Sequence, residues 1–185
     1  MRNKKIEFRE ATASDACVIA ELHTQSWRNT YRGILRDAYL DGDILTERLD
    51  MWRMRLGASA QEQFCLIAYG DQRPIGFVFL EGHADPQWGT LLDNLHVLPA
   101  AQGNGLGTQL IHRAATWVRN RFPDDGMFLW VFEGNILARR FYENLNPRIV
   151  ERIVAEAPGG GRIGEWRYAW PDIENLLRVT RRHEQ

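Results

Sequence analysis

Three glycines in five residues, Gly103, Gly105 and Gly107, stand between an apolar stretch of strand character and an amphipathic helical one, and they constrain the chain more than any other feature. The strand reads from Leu91 to Leu98, the turn as Gln102-Gly103-Asn104-Gly105-Leu106-Gly107, and the helix from Thr108 to about Arg121. Glycine lets the backbone approach a ligand closely and turn its N–H groups outward, and the helix dipole adds partial positive charge at the same place. Leu110, Ala114, Trp117 and Val118 recur at i, i+4, i+7 and i+8, with Leu106 and Ile111 bordering the stripe, so the helix has a face to bury. Such a turn can cradle a pyrophosphate.

Spacing separates the phosphate-binding readings. A P-loop needs Gly-Lys-Ser/Thr, but Gly107 is followed by Thr108 and Gln109. A dinucleotide fingerprint begun at Gly103 puts its third glycine at Thr108, and the acids Asp124 and Asp125 precede the next strand instead of ending it. What remains is Gln-x-x-Gly-x-Gly, Gln102 to Gly107, behind a strand that carries Leu95-His96-Val97. A second block follows. Met127 to Phe132 is a short apolar and aromatic strand, and Asn135-Ile136-Leu137-Ala138-Arg139-Arg140-Phe141-Tyr142-Glu143 reads as a helix capped by Asn135. On that helix Asn135, Ala138 and Tyr142 share a face over about 10 Å, so a polar group, a gap and a phenol line up.

The first block resembles the acyl-CoA pyrophosphate loop of the GNAT superfamily of N-acyltransferases, and the second its Asn-x-x-Ala-x-x-Phe-Tyr pattern. The resemblance covers most of the chain and is strongest between Leu91 and Leu145. It implies an α/β (α+β) GNAT fold: a mixed, mostly antiparallel sheet of about seven strands flanked by helices, with strands 4 and 5 splayed. It also implies acetyl-CoA as co-substrate. The backbone of Leu95, His96 and Val97 would hold the pantetheine arm and polarise the thioester carbonyl. The stretch Gln102, Gly103, Asn104, Gly105, Leu106, Gly107 and Thr108 would bind the pyrophosphate, and Asn135, Ala138 and Tyr142 would complete the cofactor site. One departure stands at Leu145-Asn146-Pro147, where members usually carry Leu-Gly-Phe; asparagine can still take the left-handed conformation that stops a helix.

The rest of the chain fits the order β-α-α-β-β-β-α-β-α-β-β. Ile6 to Arg9 alternates as a first strand, and Thr12-Ala13-Ser14-Asp15 opens a helix in the manner of a capping box, with Val18, Ile19, Leu22 and Ser26 as its stripe. Leu45, Leu49, Trp52 and Leu56 mark a second helix, with Asp43 as its cap. Phe64 to Tyr69 and Ile75 to Leu80 form a hairpin around Gly70 to Pro74, and Gly82 to Gly89 reads as a polar loop. Arg148 to Ala155 and Ile163 to Trp170 form another hairpin with a glycine-rich tip, Pro158 to Gly161. The stretch 173 to 185 forms a short amphipathic helix or a disordered tail, and with no linker the whole of 1 to 185 reads as one domain.

Composition closes off other classes. With 185 residues, 44% of them hydrophobic, the chain can bury a core unaided. A net charge of −1 with dispersed cations gives no electrostatic case for nucleic acid or an anionic membrane, and the clusters at Met1 to Lys5 and Arg181 to His183 read as solvated termini. Cys17 and Cys65 lie in apolar segments without Cys-x-x-Cys spacing, so both read as small core residues of a reducing, cytoplasmic protein. No apolar run approaches a membrane span, and no His, Cys or carboxylate cluster has metal-ligand spacing, so no metal is expected.

The implied chemistry is transfer of an acetyl group from acetyl-CoA to the primary amine of a small molecule, amino acid or peptide, by direct attack in a ternary complex. Tyr142 is the candidate acid for the departing thiolate. Asp93, sharing strand parity with Leu95 and Val97, is preferred to Glu133 as base, with loss of the proton to water as the alternative. His96 reads as a satisfied core histidine. Trp27 and Tyr31 are candidates for the acceptor wall together with the Pro158 to Arg162 tip, or else simply bridge helices and sheet. An idle acyl-CoA sensor or scaffold of the same fold is the competing class of function, and a homodimer is left open.

Overall fold

The computed structural model describes residues 6–57 and 62–181. The elements are β1 (Ile6–Glu10), α1 (Ala16–Thr30), α2 (Asp37–Leu40), α3 (Ile44–Gly57), β2 (Gln63–Gly70), β3 (Arg73–Asp85), β4 (Gly89–Val97), α4 (Leu106–Arg121), β5 (Met127–Phe132), α5 (Ile136–Glu143), β6 (Arg148–Glu156), β7 (Arg162–Trp170) and α6 (Ile173–Thr180). The strands form one seven-stranded sheet in the order β1-β2-β3-β4-β5-β7-β6. Every neighbouring pair is antiparallel except β4 and β5.

Alternation along the strands builds a core on each face. Leu66, Ala68, Val78 and Leu80 point to one side, where they meet Leu110, Ile111, Ala114 and Val118 of α4, with Leu176 and Leu177 of α6 behind. Cys65, Ile67, Phe77 and Phe79 point to the other and meet Ile19 and Leu22 of α1 and Trp52 of α3. The tail segment is a helix because Asp172 caps it, accepting from the N–H groups of Glu174 and Asn175, and because Ile173, Leu176, Leu177 and Thr180 are all buried. Residues 182 to 185 and the basic cluster at Met1 to Lys5 lie outside the described residues.

Several boundaries move. The turn between β2 and β3 is two residues long, Asp71 and Gln72, both at positive φ (51° and 63°), which is the hairpin turn whose twist matches the strands. β3 extends to Asp85 and β4 begins at Gly89, so most of the expected polar loop is strand, and β4 ends at Val97. In α3 the buried stripe is Ile44, Arg48 and Trp52; Leu45 is 40% exposed, since Arg48 takes the inward position and covers its charge with Glu47 and the face of Trp27. Cys17 is exposed on α1, not in the core, while Cys65 is buried.

At the start of α1 the capping box forms as read. The Thr12 N–H donates to Asp15 Oδ2 at 2.7 Å, and Arg9 of β1 grips the same carboxylate at 3.0 and 2.6 Å. The Arg9 bonds, then those from Thr12, hold the Asp15 carboxyl down from its ordinary 3.8 to about 2, against partial burial that acts in the other direction. A carboxyl depressed by folding stabilises the fold above its unfolded pKa, and that contribution is lost as pH falls through the folded value. Asp15→Asn should therefore lower the denaturant midpoint near neutral pH and flatten its decline between about pH 4 and 2. An acid limb of unchanged slope would assign that decline to other carboxylates.

Candidate functional site

β4 and β5 pair only at Thr90 with Met127 and Leu91 with Phe128. Beyond those pairs the strands part. Toward its C-terminal end β4 remains bonded to β3 through Asn94, Leu95, His96 and Val97, and the edge of this stretch that faces β5 has no ladder partner among the described residues. A cavity of about 800 Å³ opens there, reached by the start of α4, by α5, by the end of α1 and by β7. The nominated cofactor and catalytic residues line it, with Trp27 and Tyr31, except Asn104, whose side chain turns back to the carbonyl of Gln102, and the Pro158 to Arg162 tip stands outside it.

The parity argument for Asp93 is corrected by a bulge. Phe79 faces Asn94 and Leu80 faces Leu92 across the β3–β4 ladder, so Asp93 is an extra residue that reverses the alternation. Leu92 and Leu95 thus both pack toward α4, whereas the Asp93 carboxylate accepts 2.6 Å and 2.5 Å hydrogen bonds from Arg55 of α3 and from the Asn94 amide. Asp93 lines the cleft as a carboxylate already held by a cation. Glu133 is committed elsewhere, gripped by Arg152 at 2.9 and 2.7 Å.

The glycine turn has the shape that its sequence suggested. Gly103 and Gly105 lie at φ 78° and 76°, and Gly105 takes the N-cap position of α4, which starts at Leu106, two residues earlier than the periodicity indicated. None of the backbone N–H groups from Gly103 to Thr108 has a backbone acceptor among the described residues, as expected at a helix N-terminus. Gln102 fastens the turn to the split strand by donating from Nε2 to the Val97 carbonyl at 2.8 Å. Gly107 has a different role: a Cβ there would stand 3.2 Å from Phe141 Cζ, so its lack of a side chain lets α5 come close to α4.

α5 begins at the Asn135 cap, whose Oδ1 accepts from the Ala138 N–H at 3.2 Å. Two turns on, Tyr142 is 9% exposed, with its ring edge-on to Phe141 and Trp170. No group among the described residues hydrogen-bonds its hydroxyl, and burial, aided by the nearby Tyr31 phenol, pushes its pKa up, so the phenol stays protonated at neutral pH. Asn146 takes the left-handed conformation (φ 52°) and ends α5 where glycine was missing.

On the opposite side of the split, the Tyr31 hydroxyl accepts from the Asn135 side chain while burial pushes its pKa up to about 12. Its ring meets Trp27 and Phe132 edge-on at 5.0 and 5.1 Å. Trp27 is buried, its face 4.1 Å from the Arg48 guanidinium, so it bridges helix and core while still lining the cleft. The flanks of the hairpin tip, Ala157 and Ile163, pack with Leu35, Leu40 and Tyr39, and none of the residues Pro158 to Arg162 lines the cavity, so the tip is not brought to the acceptor wall. His96 is neutral: its Nδ1 shares a 2.9 Å hydrogen bond with Ser26 Oγ, and desolvation, then Arg48, pushes its pKa down to about 3.

One charged cleft residue escaped the sequence reading. Glu165 of β7 lines the cavity, and burial raises its carboxyl above the usual range. A lone glutamate on an alternating strand carries no local signal of this. Among the described residues, no group of three or more His, Cys, Asp or Glu side chains is placed to hold a metal ion, and no helix is long and apolar enough to cross a membrane.

A model of the acetyltransferase (GNAT) family matches residues 19–146. The chain is 28% identical over 181 residues to the uncharacterized N-acetyltransferase YuaI of Bacillus subtilis, covering 96% of this chain and 99% of the relative. It is 29% identical over 164 residues to a probable N-acetyltransferase of Mycobacterium tuberculosis, covering 87% and 90%. Among solved structures, PaiA N-acetyltransferase from Thermoplasma acidophilum in complex with coenzyme A superposes with a TM-score of 0.71 at 20% identity, over 90% of this chain and 99% of that one.

Proposed function

The chain belongs to the acetyltransferase (GNAT) family, and from that premise we propose that it transfers an acetyl group from acetyl-CoA to a primary amine by direct attack in a ternary complex. The observation that carries this reading is the stretch Leu95 to Val97, left without a ladder partner toward β5, opening between the glycine turn and a protonated Tyr142. The cleft fits the co-substrate: unpaired N–H groups from Gly103 to Thr108 for the pyrophosphate, the free edge of β4 for the pantetheine amides, and the small Ala138 beside the arm.

In the proposed step the amine nitrogen forms a bond to the thioester carbon as the C–S bond breaks. Backbone N–H groups of Leu95 to Val97 stabilise the carbonyl oxygen as negative charge develops on it, the larger catalytic contribution where no side-chain triad is present. Tyr142 gives its phenolic proton to the departing sulfur. The amine proton leaves to solvent through the open cleft; Asp93 is the second route, because as a base it would have to give up its charge-assisted bond from Arg55.

Purified protein given acetyl-CoA and a panel of amines, amino acids and peptides should release free CoA with at least one acceptor class. Tight acetyl-CoA binding with no thiol release across the panel would instead favour a sensor or scaffold.

A further inference from the structure

The cleft holds one charge that the acetyl-transfer step does not use. Resting on the acyl-transfer reading above, we propose that Glu165 is the anionic anchor for the acceptor, and that the acceptor is a small aliphatic diamine with no carboxylate close to its reacting nitrogen.

β7 enters the sheet between β5 and β6, and its register sets Glu165 against Phe132 on one side and Ile153 on the other. The carboxylate therefore stands on the wall made by Phe132 and Tyr31, close enough for its charge to act on the Tyr31 phenol. It is half-buried and has no ion-pair or hydrogen-bond partner among the described residues. The nearby cations are committed. Arg167, two residues along the same strand, pairs with Asp85 and Glu151 at 3.2 and 3.0 Å, and Arg48 is bound to Glu47 and Tyr39 behind Trp27. The other cleft carboxylate, Asp93, is matched by Arg55.

Among the described residues no lysine or arginine lines the cavity, and His96 is neutral. A carboxylate on the acceptor would meet no cation and would be repelled by Glu165, whereas an ammonium would supply the partner that Glu165 lacks. The reacting nitrogen must lose a proton before it can attack, so a lasting ion pair with Glu165 calls for a second ammonium that does not react. That makes the acceptor a diamine. The acceptor shares a cavity of about 800 Å³ with the co-substrate, which favours a small molecule over a large one.

The test compares a four-carbon diamine with the four-carbon ω-amino acid of the same length, which differ only in the far end group. The wild type should prefer the diamine in kcat/KM by on the order of 100-fold, as attraction becomes repulsion in a partly desolvated site. Glu165→Gln, an isosteric change, should narrow the preference to under about tenfold, mainly through KM, with acetyl-CoA affinity unchanged. Its melting temperature should be equal or higher, since an unpaired half-buried charge has been removed. A preference kept in Glu165→Gln, or equal use of both acceptors by the wild type, overturns the proposal. If acetyl-CoA binds but neither acceptor yields CoA, the acyl-transfer reading is what fails. Calorimetry then decides the anchor: diamine binding lost in Glu165→Gln supports it, and wild-type protein that does not bind diamine removes it.

Discussion

Tyr142→Phe lowers turnover by on the order of 10²-fold while acetyl-CoA affinity and melting temperature stay nearly unchanged, because the variant removes only the hydroxyl. The expectation comes from where that hydroxyl stands. The ring packs between Phe141 and Trp170 and keeps its contacts in the variant, whereas the hydroxyl has no partner among the described residues that its removal would orphan. A tyrosine that merely satisfied a buried group would cost stability when truncated, and this one should not. Burial raises the Tyr142 pKa, so the phenol remains a loaded proton donor across the neutral range. Turnover close to wild type, on an acceptor for which chemistry limits the rate, would remove Tyr142 from the reaction and leave the thiolate to water.

Gly105→Val should weaken acetyl-CoA binding by on the order of 10²-fold or more, the scale of losing two charge-assisted hydrogen bonds. Gly105 holds φ 76° at the N-cap of α4, a conformation that costs an L-residue about 1–2 kcal/mol and a β-branched one more. The valine variant relieves that strain by twisting the turn, which swings the N–H groups of Leu106 to Thr108 away from a shared focus. The strain is local, so the protein should stay folded with a melting temperature lower by a few degrees. Gly105→Asn, which tolerates the left-handed backbone, should keep more of the affinity than valine does. Undiminished affinity in a folded Gly105→Val protein would refute the pyrophosphate assignment.

The readable parts of this protein are those written in short windows of sequence. Gly103 and Gly105 let the turn take positive φ at no steric cost, Asn135 capped the next helix through its own side chain, and apolar runs on either side of a turn marked β2 and β3 before any partner was known. These outcomes rest on local sterics and hydrogen bonds that neighbouring residues settle among themselves. The family resemblance followed from the same windows, since the loop and the Asn-to-Tyr helix each span fewer than ten residues.

What the sequence could not decide depends on residues far apart in the chain. The extra residue at Asp93 exists only relative to its β3 partners, and it turned a parity argument from the split toward Arg55. Arg48 replaced Leu45 in the buried stripe of α3 because Trp27 and Glu47 were there to receive it. Glu165 enters the cleft because β7 inserts between β5 and β6, a pairing in which Phe132 and Tyr31 become its neighbours. A charge is tolerated or used according to what surrounds it, and its surroundings are fixed by strand order and register. Local sequence sets the glycine-turn and Asn135 side of this cleft, and tertiary pairing alone sets the charge that Glu165 brings to the other side.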